Sequence, residues 1–369
     1  MGATVVAAIG MVSVLLLGSN TASAGNSTVL SATAPIAAVS QPASALGGGS
    51  VQASTIAAGV DPAVVDINTV FQSAGGSGTA AGTGIILTST GEVLTNNHLV
   101  QGATSITVQI AGRTAAYTAS VIGVDPTADV ALIQVNGVSG LPTATFADSA
   151  TLQAGETVVA IGNAGGAGGT PSVTEGTVVA LDQSITASDG TSSEQLTGVI
   201  QSDATIAPGD SGAPLVNSAG QVVGMITAGQ SNSRNGATQI GFAIPTDNAL
   251  AVVNQIRAAD ASSQVILGQV GYLGVSVTDL TPAIAAQLGL NITSGALVVG
   301  VVSGSPADQA GMAQYVVITD VAGTPISSTT DLGNVLHTYK PGDQVQFTWT
   351  DQSSTSHTAT ITLTTGPAI

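Results

Sequence analysis

Pro208-Gly209-Asp210-Ser211-Gly212-Ala213-Pro214 is the stretch whose reading decides the fold. Gly, Pro, Asp and Ser are turn residues, so one reading is a surface turn. Glycines also let the backbone take unusual φ values and turn tightly. A turn of that kind can aim the Ser211 hydroxyl, and neighbouring backbone N–H groups, into one space. The heptapeptide alone does not separate the two readings, and the rest of the chain has to.

A serine hydroxyl is a weak nucleophile at neutral pH and needs a base. That base is usually a neutral histidine held in one tautomer by a buried carboxylate. The chain has three histidines, His98, His337 and His357. His98 lies in Leu94-Thr95-Asn96-Asn97-His98-Leu99-Val100, just past an expected strand. Alone it reads as a surface or loop histidine. Asp129 opens the apolar run Val130-Ala131-Leu132-Ile133, where a carboxylate needs a partner because burying it unpaired is costly. Alone it reads as a strand-end turn residue, a role Asp125 fills better. Together the three are more telling. His98 precedes Asp129 by 31 residues and Asp129 precedes Ser211 by 82. The order His, Asp, Ser with a Gly-Asp-Ser-Gly turn is that of double-barrel proteases of the chymotrypsin type. An α/β-hydrolase needs its histidine after the serine, but His337 and His357 fall in a separate last domain. No strand–helix alternation surrounds Ser211.

Working outward, Val64 to Val135 holds short apolar segments separated by turns, the spacing of an antiparallel barrel or sandwich. A second set follows Pro142, with strands expected near 158–161, 176–182, 198–202, 214–217, 221–227 and 239–244. Residues 246–258 read as a helix, with Thr246 as N-cap and Ala249, Leu250, Val253 and Ile256 as its apolar stripe. The expected fold is mainly β: two antiparallel barrels, then a separate domain of about 100 residues, a normal domain size. That last unit has a helix near 305–311, opened by Ser305-Pro306, and another near 329–338.

The divisions expected are residues 1–24 as signal peptide or N-terminal anchor, 25–58 as a disordered Ala/Ser/Thr/Gly linker, 59–258 as the double barrel, 259–268 as a second linker, and 269–366 as the last domain. Thr4 to Gly18 is an apolar run followed by Ala22-Ser23-Ala24, which has the form of a cleavage site. No Lys or Arg precedes the run. Export is the expectation, to the outside or to the cell envelope. Residues 25–58 carry no charge and no period.

Composition excludes several classes. The net charge is −17, with Arg113, Arg234, Arg257 and Lys340 the only Lys or Arg residues. Nucleic acid requires a basic footprint, so it is not an expected partner. There is no cysteine, which removes disulfides, thiolate metal sites and cysteine nucleophiles. No metal motif appears and no cofactor is expected. Gly162 to Gly169 lacks the Lys-Ser/Thr of a phosphate loop, and a mobile loop beside the site is expected there instead.

Taken together, these motifs resemble the HtrA/Deg family of trypsin-like serine proteases with a C-terminal PDZ domain, in particular its exported actinobacterial members. The stretches that carry the resemblance are Gly82-Thr83-Gly84-Ile85, Leu94-Thr95-Asn96-Asn97-His98, Asp129-Val130-Ala131-Leu132, Gly162-Asn163-Ala164-Gly165-Gly166, Ile200-Gln201-Ser202-Asp203-Ala204 and Pro208-Gly209-Asp210-Ser211-Gly212. It spans about residues 59–366. It implies an endopeptidase acting on unfolded or tail-exposed proteins, and a homo-trimer is one assembly it allows. Ser211 would attack the scissile carbonyl, His98 would take and return its proton, and Asp129 would orient His98. The N–H groups of Gly209 and Ser211 would form the oxyanion hole. Ala213 stands where the family usually has a second glycine. Thr205, Ile206, Met225, Ile226 and Thr227 are the expected primary-pocket residues. They carry no negative charge, so a small or aliphatic substrate residue is expected.

The resemblance also assigns Tyr272, Leu273, Gly274 and Val275 to a loop whose N–H groups receive a peptide's C-terminal carboxylate, the peptide adding as a strand. On those residues alone a hairpin turn is the simpler reading. Tyr315-Val316 replace the family's usual Gly-Asp turn. The alternative function is a non-catalytic PDZ-bearing binder or chaperone with a resting or vestigial protease fold. A lipase or esterase on another fold is disfavoured by motif order. If His98 is the base, activity should fall as it protonates, around the reference value of about 6.5 or wherever the site moves it.

Overall fold

The computed structural model describes residues 13–15, 47–73, 76–111, 113–163, 169–188, 193–230, 240–259 and 264–366. The signal-peptide expectation lies outside these residues, apart from a short strand β1 (Ser13–Leu15). So do residues 25–46 of the expected linker. The next residues differ from that expectation: Gly47–Val60 is a helix, α1. Its stripe Ala53, Ile56, Ala57 and Val60 packs into the protein, which is helical spacing. Small side chains made the stretch look like a linker, yet they let the helix sit close.

Two sheets follow, and each closes on itself. The first holds β2 (Val64–Ser73), β3 (Gly76–Ile86), β4 (Glu92–Thr95), β5 (Ala103–Ile110), β6 (Ala116–Asp125) and β7 (Val130–Val135). Its order is β6-β5-β2-β3-β4-β7, with β7 pairing back on β6. A four-residue helix α2 (Asn97–Val100) follows β4. The second sheet holds β8 (Thr157–Gly162), β9 (Ser172–Ser188), β10 (Ser193–Ser202), β11 (Pro214–Asn217), β12 (Val222–Gln230) and β13 (Ile240–Pro245). Its order is β9-β10-β13-β12-β11-β8, and β8 pairs back on β9. Both are therefore six-stranded antiparallel barrels, each closed by its last strand pairing back on its first.

Strand alternation divides the apolar residues between cores. Ile86, Val93 and Ile133 fill the first barrel. Ile85, Leu94 and Leu132, one residue away on the same strands, face outward and meet Val159, Ile161, Val216 and Met225 of the second barrel. This buries both faces of β7 and explains its unbroken apolar run. Helix α3 (Thr246–Arg257) closes the same inter-barrel core with Ala249, Val252, Val253 and Ile256. Its N-cap is Pro245, not Thr246. The Thr246 hydroxyl instead donates to Val222 O at 3.0 Å, an inter-element bond that local pattern does not reveal.

After α3 the chain returns to the first barrel. Strand β14 (Ile266–Leu267) lies in the expected second linker and pairs with Val124 and Gly123 of β6. The last unit has a small pair, β15 (Gly271–Tyr272) with β22 (Thr364–Thr365). Its main sheet holds β16 (Val275–Asp279), β17 (Ala296–Val301), β18 (Val317–Val321), β19 (Thr324–Pro325), β20 (Gln344–Thr350) and β21 (Ser356–Thr362). The order β16-β17-β18-β20-β21 leaves β16 at one edge. Helices α4 (Pro282–Leu288), α5 (Pro306–Gln309) and α6 (Thr329–Leu336) accompany it. Ser305 caps α5 by accepting the Asp308 N–H, with Pro306 at the first helical position.

Candidate active site

His98 and Asp129 come from the first barrel and are brought together by α2 and the turn before β7. Asp129 is fully buried and sits at φ +51°. Left-handed backbone is uncommon for a side-chain-bearing residue, and Asp is among those that tolerate it. The turn work expected of Asp125 is visible: its Oδ1 accepts from Thr127 N (2.9 Å), Thr127 Oγ1 (2.7 Å) and Ala128 N (3.1 Å). That frees Asp129 to face His98. His98 Nδ1 lies 2.9 Å from Asp129 Oδ2 and 3.1 Å from Oδ1. The His98 backbone N–H donates to Oδ1 at 2.9 Å. Thr227 of the second barrel donates its hydroxyl to Oδ2, and Asn96 Nδ2 donates to the Asp129 carbonyl at 3.1 Å. A carboxylate fixed from this many directions can hold an imidazole in one tautomer, with its proton on Nδ1 and Nε2 able to act as base.

Ser211 sits in the turn that leads into β11. Gly209 and Gly212 adopt φ +99° and +84°, values that need glycine. Strand β3 of the first barrel grips this turn through one residue. Thr83 N donates to Ser211 O at 2.8 Å. Thr83 Oγ1 donates to Gly209 O at 2.8 Å and accepts from Asn163 N at 3.0 Å. With the Gly209 carbonyl held by Thr83, neither the Gly209 nor the Ser211 amide has an acceptor among the described residues. Ala213 causes no distortion: it is absent from the left-handed residues, and its methyl is buried in the second barrel core.

Asp210 is the site residue whose environment the sequence did not disclose. It is 3% exposed. Its Oδ2 accepts the Ala207 N–H at 2.8 Å and its Oδ1 stands 3.4 Å from Ser172 Oγ. Burial pushes its pKa up to about 6, against the smaller lowering effect of these two hydrogen bonds.

The expected primary pocket needs correction in part. Met225 packs in the inter-barrel core and Ile226 in the second barrel core, because adjacent strand residues point to opposite faces and here both faces are buried. The Thr227 hydroxyl is committed to Asp129. Ile206 is buried and packs over Gly241, where a Cβ would come within 2.5 Å of it. Thr205 is exposed. Most of the glycine-rich loop, 164–168, lies outside the described residues.

The other two histidines stand apart. His357 bonds Asp351 at 2.8 Å and stacks on Trp349 in the β20–β21 hairpin. His337 follows α6, and burial lowers its pKa. In the last unit, Leu273 O accepts from Ala307 N and Gly274 O from Val302 N, both at 2.9 Å. Gly274 has φ +86°. Both carbonyls thus point inward, and the Leu273 and Gly274 amides have no acceptor among the described residues. Tyr272 pairs with Thr364, and Val275 and Val277 pack against the core of the last unit. Tyr315 takes the turn in left-handed conformation, φ +70°.

Comparison with known proteins agrees with this architecture. A trypsin-like peptidase domain matches residues 82–225 and a PDZ domain matches residues 271–362. The serine protease PepD of Mycobacterium tuberculosis is 36% identical over 98% of this chain and 75% of its own length. A probable periplasmic serine endoprotease, DegP-like, of Pseudomonas savastanoi is 36% identical over 72% of this chain. This chain spans about half of that relative, 52%. Among solved structures, the HtrA-type protease AlgW with decapeptide aligns over 86% of this chain and 99% of its own at 28% identity, with a TM-score of 0.48. With a trypsin-like domain, a PDZ domain and a serine protease relative that is 36% identical over almost the whole of this chain, the chain belongs to the HtrA/Deg family of trypsin-like serine proteases.

Proposed function

We propose that the chain is an exported serine endopeptidase, with a protease unit over about residues 59–258 and a PDZ domain over about 269–366, and with Ser211, His98 and Asp129 as its catalytic triad. The observation that carries the reading is the His98–Asp129 pair, with Nδ1 at 2.9 Å from Oδ2, set in one barrel while the serine turn of the other is tied to it through Thr83. Ser211 Oγ attacks the peptide carbonyl as His98 takes its proton. His98 then returns that proton to the leaving amine, and water repeats the cycle to release the acyl group. The Gly209 and Ser211 N–H groups receive the oxyanion. A donor of this kind is worth about 10²–10³ in rate.

A small or aliphatic residue before the cut bond fits the surroundings. Ile206 brings an apolar side chain, and Thr205 and Thr227 bring no charge. In the PDZ domain, a peptide C-terminus fits the amides of Leu273 and Gly274, with the peptide adding to the free edge of β16 beside α6. Relatives carrying the word periplasmic in their names support export, and unfolded or tail-exposed proteins are the substrate class. A homo-trimer is the proposed assembly.

A fluorophosphonate probe tests the core of this reading. Wild type should be labelled, and Ser211→Ala and His98→Ala should not. Denatured casein should be cut and lipid esters should not. A wild type that neither labels nor cuts casein sinks the enzyme reading and leaves the peptide binder.

A further inference from the structure

Asp210 lies between the two residues whose amides are proposed to receive the oxyanion, and its carboxyl turns into the protein. The surroundings are built around it. Gly162 has no side chain there, and a Cβ would come within 2.3 Å of Asp210 Oδ1. Ala213 closes the same space. Its side-chain hydrogen-bond partners among the described residues are the Ala207 amide and the Ser172 hydroxyl.

No cation offsets the carboxyl among the described residues. Arg257 pairs with Glu92, Arg113 donates to Tyr117 and Ser139, and Lys340 donates to Leu267 O. The elements packed around Asp210 bring no positive charge either. Strand β8 has no charged residue, with Glu156 just before it, and β3 has none. Strand β9 carries Glu175 and Asp182. Asp203, on the segment entering the turn, accepts from Thr177 N and Oγ1. Of the residues proposed to act with Ser211, His98 and Asp129 are the titratable ones. Burial without a counter-charge accounts for the upward displacement of its pKa to about 6.

The two hydrogen bonds to the carboxylate are outweighed by burial, and the same partners can also serve the neutral acid. Ser172 has one hydroxyl proton, and its shorter contact is Gly162 O, 3.0 Å, against 3.4 Å to Asp210 Oδ1. A proton on Asp210 Oδ1 then donates to Ser172 Oγ, giving a directed chain from Asp210 to Ser172 to Gly162 O. Oδ2 still accepts from Ala207. In the ionised form the single Ser172 proton has two acceptors to serve.

We propose that Asp210 is a positioning residue that works protonated: neutral, it fixes the turn from Ala207 to Ser211 and leaves the oxyanion site free of a neighbouring negative charge, and its ionisation turns the reaction down. This rests on the reading of the Gly209 and Ser211 amides as the oxyanion hole. Attack by Ser211 places negative charge on the substrate oxygen while its proton moves to His98. An anionic Asp210 opposes that charge through a poorly solvated medium. The coupling is reciprocal, so the tetrahedral adduct raises the proton affinity of Asp210. Loss of base function at His98 occurs as pH falls. Loss through Asp210 occurs as pH rises.

The test is the pH profile of kcat/KM from 5 to 9, on the full chain with a small peptide substrate, for wild type and Asp210→Asn. The asparagine carbonyl can accept from Ala207 and its amide can donate to Ser172, without charge. Wild type should decline on the alkaline side. Asp210→Asn should hold a plateau there and exceed wild type by about tenfold at the alkaline end, the order expected of one removed neighbouring charge. A second readout needs no variant: wild type should take up a proton when a peptide boronic acid forms its anionic adduct, read by calorimetry in buffers of different ionisation heat. An Asp210→Asn profile that traces wild type overturns the inference. So does a variant with unchanged melting temperature that loses kcat/KM at every pH, since ionised Asp210 would then be the working form. If the variant does not fold, absence of proton uptake by wild type is decisive against it. Failure of the protease reading is distinguishable, because wild type itself would then be inert to substrate and fluorophosphonate.

Discussion

Thr83 and Ser211 are joined across the two barrels: the Thr83 N–H donates to the Ser211 carbonyl at 2.8 Å, while the Thr83 hydroxyl donates to Gly209 O at 2.8 Å. One buried threonine thus orients the peptide groups on both sides of Asp210. Thr83→Val keeps the shape and removes the hydroxyl, leaving Gly209 O and Asn163 N without that partner. Stability should fall by about 1–3 kcal/mol, the usual consequence of stranded buried polar groups. Because this bond helps hold Gly209, whose amide is proposed to receive the oxyanion, kcat should fall by about 10- to 100-fold. Thr83→Ser should restore most of both. Unfolding curves and steady-state kinetics of the pair check this, and a valine variant with wild-type kcat would remove Thr83 from the site.

The two residues after Ser211 should respond in opposite ways. A Cβ at Gly212 would lie 2.0 Å from Thr83 O and 2.5 Å from Thr95 Oγ1, at φ +84°. Neither neighbour can give way without breaking the Thr95-to-Thr83 bond of 2.8 Å. Gly212→Ala should abolish fluorophosphonate labelling and lower stability by about 3 kcal/mol or more. Ala213→Gly meets no strain. It loses a buried methyl and gains chain entropy in the unfolded state, about 1 kcal/mol each, and it should still label. Labelling of Gly212→Ala at the wild-type rate would refute the steric argument.

Asp210 also ties stability to pH. Its folded pKa, about 6, stands above the model-compound value of 3.8. The folded state therefore binds the proton more tightly than the unfolded state. The stabilisation is fully present below about pH 3.8 and is lost as pH rises through about 6, amounting to about 3 kcal/mol by neutral pH. Asp66 and Asp61 are also raised by burial and act in the same direction, so comparison with Asp210→Asn isolates the one group. Urea unfolding of both proteins at pH 4, 5.5 and 7.5 should show the asparagine variant gaining on wild type by about that amount. A difference that stays constant across the range would assign the titration elsewhere.

What the sequence disclosed follows from where the information resides. His98, Asp129 and Ser211 could be picked out because each sits in a short motif at a strand end, and their order selects one barrel topology. Asp125 could be separated from Asp129 because an Asx turn is a local affair. Thr83 could not be recognised as the clasp, since nothing in a local pattern tells which hydroxyl meets a carbonyl 126 positions on. The burial of Asp210 was equally hidden, because it depends on Gly162 leaving room. Met225 and Ile226 read as pocket residues from sequence, yet the two packed barrels bury both faces of β12 and place them in the cores. Helix α1 escaped notice because its stripe of Ala and Ile lies among Gly, Ser and Thr.

Tyr315 gives the last expectation, in the PDZ domain. It holds φ +70° and is 37% exposed, and its N–H donates to Val298 O at 2.7 Å. The left-handed region costs a side-chain-bearing residue about 1–2 kcal/mol, and glycine escapes that cost while adding some unfolded-state entropy. Tyr315→Gly should therefore be more stable than Tyr315→Ala by about 1 kcal/mol, because both lose the partly buried ring and only glycine relieves the backbone. Tyr315→Ala keeps the Cβ and the strain. That contrast separates backbone strain from the loss of the ring, because both variants remove the ring and only one relieves the backbone. Denaturant unfolding of the full chain, following Trp349 fluorescence in the PDZ core, measures both. Equal stabilities for the glycine and alanine variants would show that the turn carries no strain at this position.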